Sequence, residues 1–214
     1  MPPDAATTDG SGTVVPDGPD IVAGHVSRET LDRLERYAET LRLWQTRINL
    51  VGPATVPVLW QRHMLDSVQL WPNLIGCRRL CDLGSGAGFP GLVLAACGLS
   101  DVHLIDSDQR KATFLRDAAR VMGLVVSVEA RRAEAVPPLA ADCVTARALA
   151  PLPDLLALVH RHLAPGGRAV LLKGERWADE VAAAQRHWRF THTTRPSLVD
   201  PTGVVLVLES LSRV

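Results

Sequence analysis

A chain of 214 residues that is 47% hydrophobic and 21% charged holds enough apolar material for one sizeable core, and its length favours one domain with a small extension. No run approaches 18 uninterrupted apolar residues, and the first twenty residues lack the basic start and apolar centre of a secretory leader, so neither a transmembrane helix nor export is expected. The formal net charge of +0 hides a split: Asp4, Asp9, Asp17 and Asp20 precede the first Lys or Arg, leaving 23 basic residues against 19 acidic ones, a modest excess compatible with RNA without demanding it.

Residues 1–26, rich in Pro, Gly, Asp and Thr, are expected to form a disordered tail. From the N-cap candidate Ser27, Leu31, Leu34, Ala38, Leu41, Trp44 and Ile48 recur at three- and four-residue steps, which predicts a helix. "NLVGP" at 49–53 breaks it. A second helix is expected over 55–71, stopped by Pro72 and Asn73. Residues 27–73 therefore form a helical extension packed on a cofactor-binding unit over 74–214.

The period then changes. "RRLCDLG", a helix from about Pro90, "DVHLID", a helix over 107–122, "VVSVEA", "ADCVTARA", a helix over 153–163, "RAVLLKG" and a helix over 175–187 alternate. That alternation predicts an α/β fold, a mainly parallel sheet with helices on both faces. "WRFTHTTRP" and "VVLVLESL" are separated only by the turn-rich "DPTG", so they should pair as an antiparallel hairpin at the sheet edge. Cys77, Cys81, Cys97 and Cys143 show no paired spacing and no flanking His cluster, and are expected as buried free thiols rather than metal ligands or disulfides.

The first strand-to-helix turn, "CDLGSGAGFPG" at 81–91, is stripped of side chains. A dinucleotide fingerprint needs a third small residue at position 89, which is Phe89; Gly84, Gly86 and Gly88 instead space as G-x-G-x-G. That spacing suits a ligand lying edge-on over the turn with no pyrophosphate to cradle, and no Gly-Lys-Ser/Thr follows to make a P-loop. Asp82 precedes the glycines, and Asp106 ends the second strand 22 residues beyond Gly84, where a carboxylate can accept two ribose hydroxyls. Ser85 within the turn and Ser107 beside Asp106 join this cofactor-binding set.

This combination resembles the class I S-adenosylmethionine-dependent methyltransferases, which implies a Rossmann-like seven-stranded, mainly parallel sheet with an antiparallel last strand. By that resemblance the glycine turn faces the methionine moiety, Asp106 holds the ribose, and Ala133 and Glu134 of "RAE" lie beside the adenine; a solvated loop acid is the other reading of Glu134. At the fourth strand's end, "VTARALAPL" lacks the Asn/Asp-Pro-Pro-aromatic run of amine methylation. Methylation of pyrimidine carbon 5 needs a cysteine nucleophile, and Cys143 sits inside an apolar run as core. Guanine N7 needs neither, because its lone pair carries no proton.

"NLVG" at 49, "RHMLDS" at 62, "DLGSGAGFPG" at 82, "DSDQRKATFL" at 106, "ARALAPL" at 146 and "LLKG" at 171 occur in one order. Together they look like the bacterial 16S ribosomal RNA guanine-N7 methyltransferases, the glucose-inhibited division protein B family, from residue 27 to the end. The resemblance implies cofactor contacts from Gly84, Phe89, Ala133, Glu134 and Arg147, catalytic roles for Arg147, Lys173 and His63, and RNA contacts from Arg62, His63, Arg147 and Lys173. A core histidine bonded to backbone is the alternative for His63, and Asp66 is placed to pair with Arg62. Arg78 with Arg79, Arg131 with Arg132, and Arg186, His187 and Arg189 are either phosphate contacts or solvated faces.

The implied donor is S-adenosylmethionine, with S-adenosylhomocysteine as product. The implied partner is 16S ribosomal RNA or the small ribosomal subunit, for a monomeric cytoplasmic enzyme needing neither metal nor membrane. Methyl transfer to another RNA or to a small-molecule nitrogen stays open, as does a non-catalytic, cofactor-sensing ribosome-assembly factor. A nicotinamide-dependent oxidoreductase is opposed by Phe89.

Overall fold

The computed structural model describes residues 17–214, together with the backbone of a short antiparallel pairing of Thr7–Thr8 with Val14–Val15. The rest of the expected disordered tail lies outside the described residues. Its boundary at 26 is corrected: α1 (Asp20–Ala23) buries Val22 completely, and both Asp17 carboxylate oxygens accept hydrogen bonds, from Trp60 N and Gln61 N at 2.9 Å each. Those two N–H groups open a helical segment that has no cap side chain of its own, so Asp17 supplies the missing acceptor from a distance.

Helix α2 (Arg28–Gln45) starts as the sequence predicts, with Ser27 Oγ accepting from Thr30 N at 3.2 Å. It ends where Gln45 Oε1 turns back to accept from Leu50 N and Val51 N. The expected helix over 55–71 is instead broken into pieces. Pro57 lacks the N–H a continuing helix needs, and the regular segment begins beyond it as a π-helix, Trp60–Leu65, running into α3 (Asp66–Val68). The wider π turn is a form that recurs at functional sites, and it carries Arg62 and His63.

The remaining elements follow as β1 (Arg79–Leu83), α4 (Gly91–Ala96), β2 (Asp101–Ile105), α5 (Gln109–Val121), β3 (Ser127–Glu129), β4 (Ala141–Arg147), α6 (Leu152–His162), β5 (Leu163–Lys173), α7 (Trp177–Ala184), β6 (Trp188–Pro196) and β7 (Val204–Arg213). The sheet order is β3-β2-β1-β4-β5-β7-β6. Strands β1 to β5 are parallel, while β7 runs antiparallel to both β5 and β6. The closing hairpin therefore inserts its second strand next to β5 and leaves the first at the edge. Strand β5 also starts earlier than expected. Leu163 already pairs with Ala141, and the irregularity before the Cys143–Arg168 pairing absorbs the extra residues of "APGG", with Gly166 at φ +77°.

Alternation along β1 assigns the two cores. Leu80 packs with α2, α4 and α5 (Leu34, Tyr37, Leu92, Phe114), and Met64 of the helical extension joins the same cluster. Cys81 and Leu83 face the opposite side, against α6 and α7 through Leu155, Leu156, Val159 and Val181. The helical extension thus shares a core with one face of the sheet. Complete burial of Phe114 in it is worth about 2–3 kcal/mol.

Candidate active site

Asp82 is fully buried at the end of β1, on the α4 side of the sheet. Its Oδ1 accepts from Thr145 Oγ1 on neighbouring β4 at 2.8 Å, and its Oδ2 accepts from Gly91 N at 3.2 Å. Burial pushes the carboxyl up to about 6, against the hydrogen bonds it accepts. The expected cofactor contact is corrected: Asp82 is enclosed beneath the glycine turn and braces it from behind. Ser85 behaves likewise, its Oγ donating to Asp82 O at 3.0 Å, so only its backbone borders the site.

Two glycines of the turn serve different ends. At Gly86 (φ +56°) an added Cβ would meet nothing nearer than Gly84 O at 3.8 Å, so this position opens onto the crevice. At Gly88 (φ +92°) a Cβ would meet Leu92 at 2.6 Å and Tyr37 Oη at 2.7 Å. Gly88 is required for packing: it admits Tyr37 of α2, whose hydroxyl donates to Ala87 O and whose burial raises its pKa, keeping it a donor.

Asp106 ties the turn to β2. Its Oδ2 accepts from Gly86 N and its Oδ1 from Asp108 N, both at 2.8 Å. Each oxygen retains acceptor capacity for a ribose hydroxyl. Ser107 is exposed beside it, Glu134 is exposed beyond β3, and Ala133 O accepts from the buried His162 Nε2 at 3.0 Å. These four positions stand at the β2–β3 end and do not line the main cavity, which holds about 470 Å³. That cavity is bordered by Gly84–Ala87 and Phe89, by Thr55, Arg62, His63 and Asp66, by Arg147, and by Lys173 with the β6–β7 turn.

Arg147, the last residue of β4, fastens the helical extension to the sheet. Its Nη1 donates to Asp66 Oδ2 at 3.2 Å and to Arg62 O at 3.3 Å; its Nη2 donates to His63 Nδ1 at 2.8 Å. The guanidinium also lies 5.1 Å from the Phe89 ring centroid. A guanidinium offers no lone pair, so His63 Nδ1 is the acceptor and the ring proton sits on Nε2, which donates to Thr55 Oγ1 at 2.8 Å. Burial, then the charges of Arg147 and Arg62, hold His63 down to about 3. The imidazole is therefore neutral, stacked on Phe89 at 5.0 Å, with both nitrogens engaged by side chains. The ring is bonded to side chains and not to backbone, which corrects the reading of a backbone-bonded core histidine and leaves His63 lining the cavity. Asp66, raised by burial and pulled back by Arg147, does pair with Arg62, but loosely at 3.9 Å.

Lys173 departs furthest from expectation. Its side chain is 8% exposed, and Nζ donates to Glu180 Oε2 at 2.8 Å and Ala150 O at 3.0 Å. The same carboxylate oxygen accepts from Leu152 N, the start of α6. Burial works against Glu180, yet the Lys173 ammonium and that N–H hold its carboxyl below the ordinary value. The ammonium thus fixes the loop after β4 rather than offering itself to RNA. Two arginine clusters are also misplaced for contact with the crevice. Arg78 precedes β1 and Arg79 begins it, both donating their main-chain N–H groups to Asp142, while Arg186 and His187 lead into β6 and Arg189 is its second residue, beside the Trp188–Arg213 pairing; both clusters lie at the opposite, amino edge. Arg131 and Arg132 follow β3 on the crevice side, with Arg131 bonded to Glu129 at 2.8 Å.

Sequence reasoning passed over Thr145, Tyr37, Glu180, Thr55, Lys111 and Asp200. Thr145 becomes legible once β1 and β4 are known to pair, since the register sets it opposite Asp82. Lys111, in the first turn of α5 five residues beyond Asp106, borders the cavity within a segment already singled out. Among the described residues no group of three or more His, Cys, Asp or Glu side chains is placed to hold a metal ion, and no helix is long and apolar enough to cross a membrane.

The model of the rRNA small subunit methyltransferase G family (GidB) matches residues 30–203. A ribosomal RNA small subunit methyltransferase G of Paramagnetospirillum magneticum is 59% identical over 189 residues, covering 88% of this chain and 92% of the relative. Its counterpart from Cereibacter sphaeroides is 48% identical over 200 residues, covering 89% and 94%. Among solved structures, a tRNA (m1A58) methyltransferase from Aquifex aeolicus superposes with a TM-score of 0.58 at 12% identity, covering 83% of this chain and 76% of that one, which bears on the fold alone. With the family model spanning most of its length and relatives this similar, the chain belongs to the rRNA small subunit methyltransferase G family.

Proposed function

We propose that this chain methylates N7 of one guanine in the 16S ribosomal RNA of the small subunit, acting as a cytoplasmic monomer. S-adenosylmethionine is the methyl donor, and the residues fit it. Gly86 leaves open space above the turn, Asp106 keeps acceptor capacity for a ribose, and the cation over Phe89, Arg147, is already balanced by Asp66. Gly84, Gly86 and Phe89 would hold the methionine end, Asp106 and Ser107 the ribose, and Ala133 and Glu134 the adenine. Bound there, the donor supplies a methyl group on a positively charged sulfur, and transfer to N7 moves that charge onto the purine without releasing a proton.

The observation that carries this reading is the engagement of His63: one nitrogen accepts from Arg147 and the other donates to Thr55. Residues of this site orient and desolvate a nucleophile rather than deprotonate one, which suits a nitrogen that already presents a lone pair. Arg147 binds His63 of the 27–73 segment and lies over Phe89 of the 74–214 unit, joining the two parts into one cavity wall. Incubating the protein with labelled donor and unmodified small-subunit RNA should yield 7-methylguanosine at a single position. Transfer confined to small molecules or to protein would overturn the proposal.

A further inference from the structure

The chain contains two lysines, Lys111 and Lys173, and both line the same cavity. Their surroundings differ. Lys173 is neutralised by Glu180 at 2.8 Å. Lys111 is half-buried in the first turn of α5, and its ammonium forms no hydrogen bond or ion pair among the described residues. It also sits at the end of the helix where the backbone dipole disfavours a cation. Of the four cations lining the cavity, Arg147 and Arg62 share Asp66, Lys173 has Glu180, and Lys111 alone lacks a carboxylate partner among the described residues.

Among the described residues nothing offsets that charge, so it is presented to whatever binds in the crevice. S-adenosylmethionine is a poor match, because its ammonium and sulfonium outweigh its single carboxylate. The phosphodiester backbone of the RNA, an anion at every nucleotide, is a better one. Position supports this assignment. Lys111 stands in the first turn of α5, beyond β2, and Arg147 ends β4, with β1 and its glycine turn between those strands, so the two cations border the cavity from different elements. A cation placed on the far side of the glycine turn from Arg147 suits a phosphate flanking the target base. Resting on the RNA methyltransferase function above, we propose that Lys111 binds a backbone phosphate beside the target guanosine on the β2 side of the crevice.

The test compares full-length wild-type, Lys111→Gln and Lys111→Arg proteins for binding to unmodified 16S RNA across salt concentrations, with S-adenosylhomocysteine affinity measured by calorimetry. Loss of one phosphate contact should weaken RNA binding by Lys111→Gln about tenfold and make the logarithmic salt dependence shallower by about 0.7–0.9. Lys111→Arg should restore both, and S-adenosylhomocysteine should bind all three proteins within about twofold. Weakened cofactor affinity with an unchanged salt slope would assign Lys111 to the cofactor and overturn the proposal, as would RNA binding indifferent to the substitution. If the wild-type protein itself fails to bind or methylate the RNA, the function on which the proposal rests is what fails.

Discussion

The two edges of the sheet use arginine in opposite ways. At the amino edge Arg79 donates to Asp101 at 2.7 Å and to Leu139 O at 3.0 Å, and Arg168 donates to Ile75 O at 2.6 Å. These bonds join the starts of neighbouring strands and loops, and the Arg79 pair is nearly half exposed on both sides. At the carboxyl edge Arg147 is 17% exposed and gathers Asp66, His63 and Arg62 O from a separate helical segment. Solvent screens the first arrangement, so each bond contributes little; the second is sheltered, and removing one member strands the others. Chemically similar side chains stitch at one edge and build a pocket at the other.

The sharpest way to break that contrast is Arg147→Ala. It should cost about 3–5 kcal/mol, because buried Asp66 loses its close partner, whereas Arg79→Ala should cost at most about 1 kcal/mol. Asp66 already has a raised pKa, and losing the guanidinium raises it further. A raised carboxyl favours the folded state at low pH and loses that advantage as pH rises, so the deficit of Arg147→Ala should be smaller at pH 5 than at pH 8. Thermal denaturation at both values checks this, and methyl transfer should fall at least a hundredfold. Equal losses from the two arginine substitutions would erase the distinction between the edges.

Within the carboxyl edge, Gly88→Ala and Gly86→Ala separate packing from ligand access. A methyl at Gly88 collides with Leu92 and Tyr37 in a left-handed backbone conformation, and should destabilise by about 2–4 kcal/mol. A methyl at Gly86 meets open space, so its cost should stay near the 1–2 kcal/mol of the positive φ, roughly, while cofactor affinity falls. Denaturant unfolding paired with calorimetry distinguishes them. A Gly86→Ala protein with unimpaired cofactor binding would remove this glycine from the site.

Asp82 offers a pH-dependent probe of the brace beneath the turn. Its folded pKa of about 6 exceeds the ordinary 3.8, so its contribution is fully present below about pH 4 and is lost as pH rises through 6, amounting to about 3 kcal/mol. Asp82→Asn keeps the shape and stays neutral. It should fold with equal or greater stability at pH 7, with a flatter profile between pH 4 and 6. His63 has the opposite sign: its folded pKa near 3 makes stability fall as pH drops below 6.5, and the Asn variant should expose that trend. If Asp82→Asn instead loses stability at pH 7, the carboxylate has a role beyond bracing.

These cases mark what the sequence discloses. Helix periodicity and strand alternation were enough for the α/β class, the Ser27 cap and the closing hairpin, because burial period and cap chemistry are local. The placement of the glycine turn, Asp106 and Arg147 at the carboxyl ends of strands was legible because such an end is a position readable in one dimension. Lys173 met that criterion and still pointed wrongly: its partner Glu180 lies on the next helix, and nothing in "LLKG" announces it. The same limit applies to Asp17, whose target N–H groups lie 43 and 44 residues away. Side-chain commitments made across elements are decided by packing, which residue spacing does not encode.

Arg186 and Arg189 test the smallest expected effect. Both belong to a cluster that looked as eligible for phosphate as any in the chain, yet Arg189 lies seven residues, roughly 23 Å, back along β6 from its crevice end at Pro196, and Arg186 lies before the strand begins. Charges separated by several Debye lengths from a bound phosphate contribute almost nothing at physiological salt. The double variant Arg186→Ala, Arg189→Ala should therefore bind RNA within about twofold of wild type, with an unchanged salt slope, where Lys111→Gln loses close to one unit. A slope reduced by both sets would mean that the RNA wraps around β6 to the amino edge, and the division between a stitched edge and a binding edge would have to be redrawn along that strand.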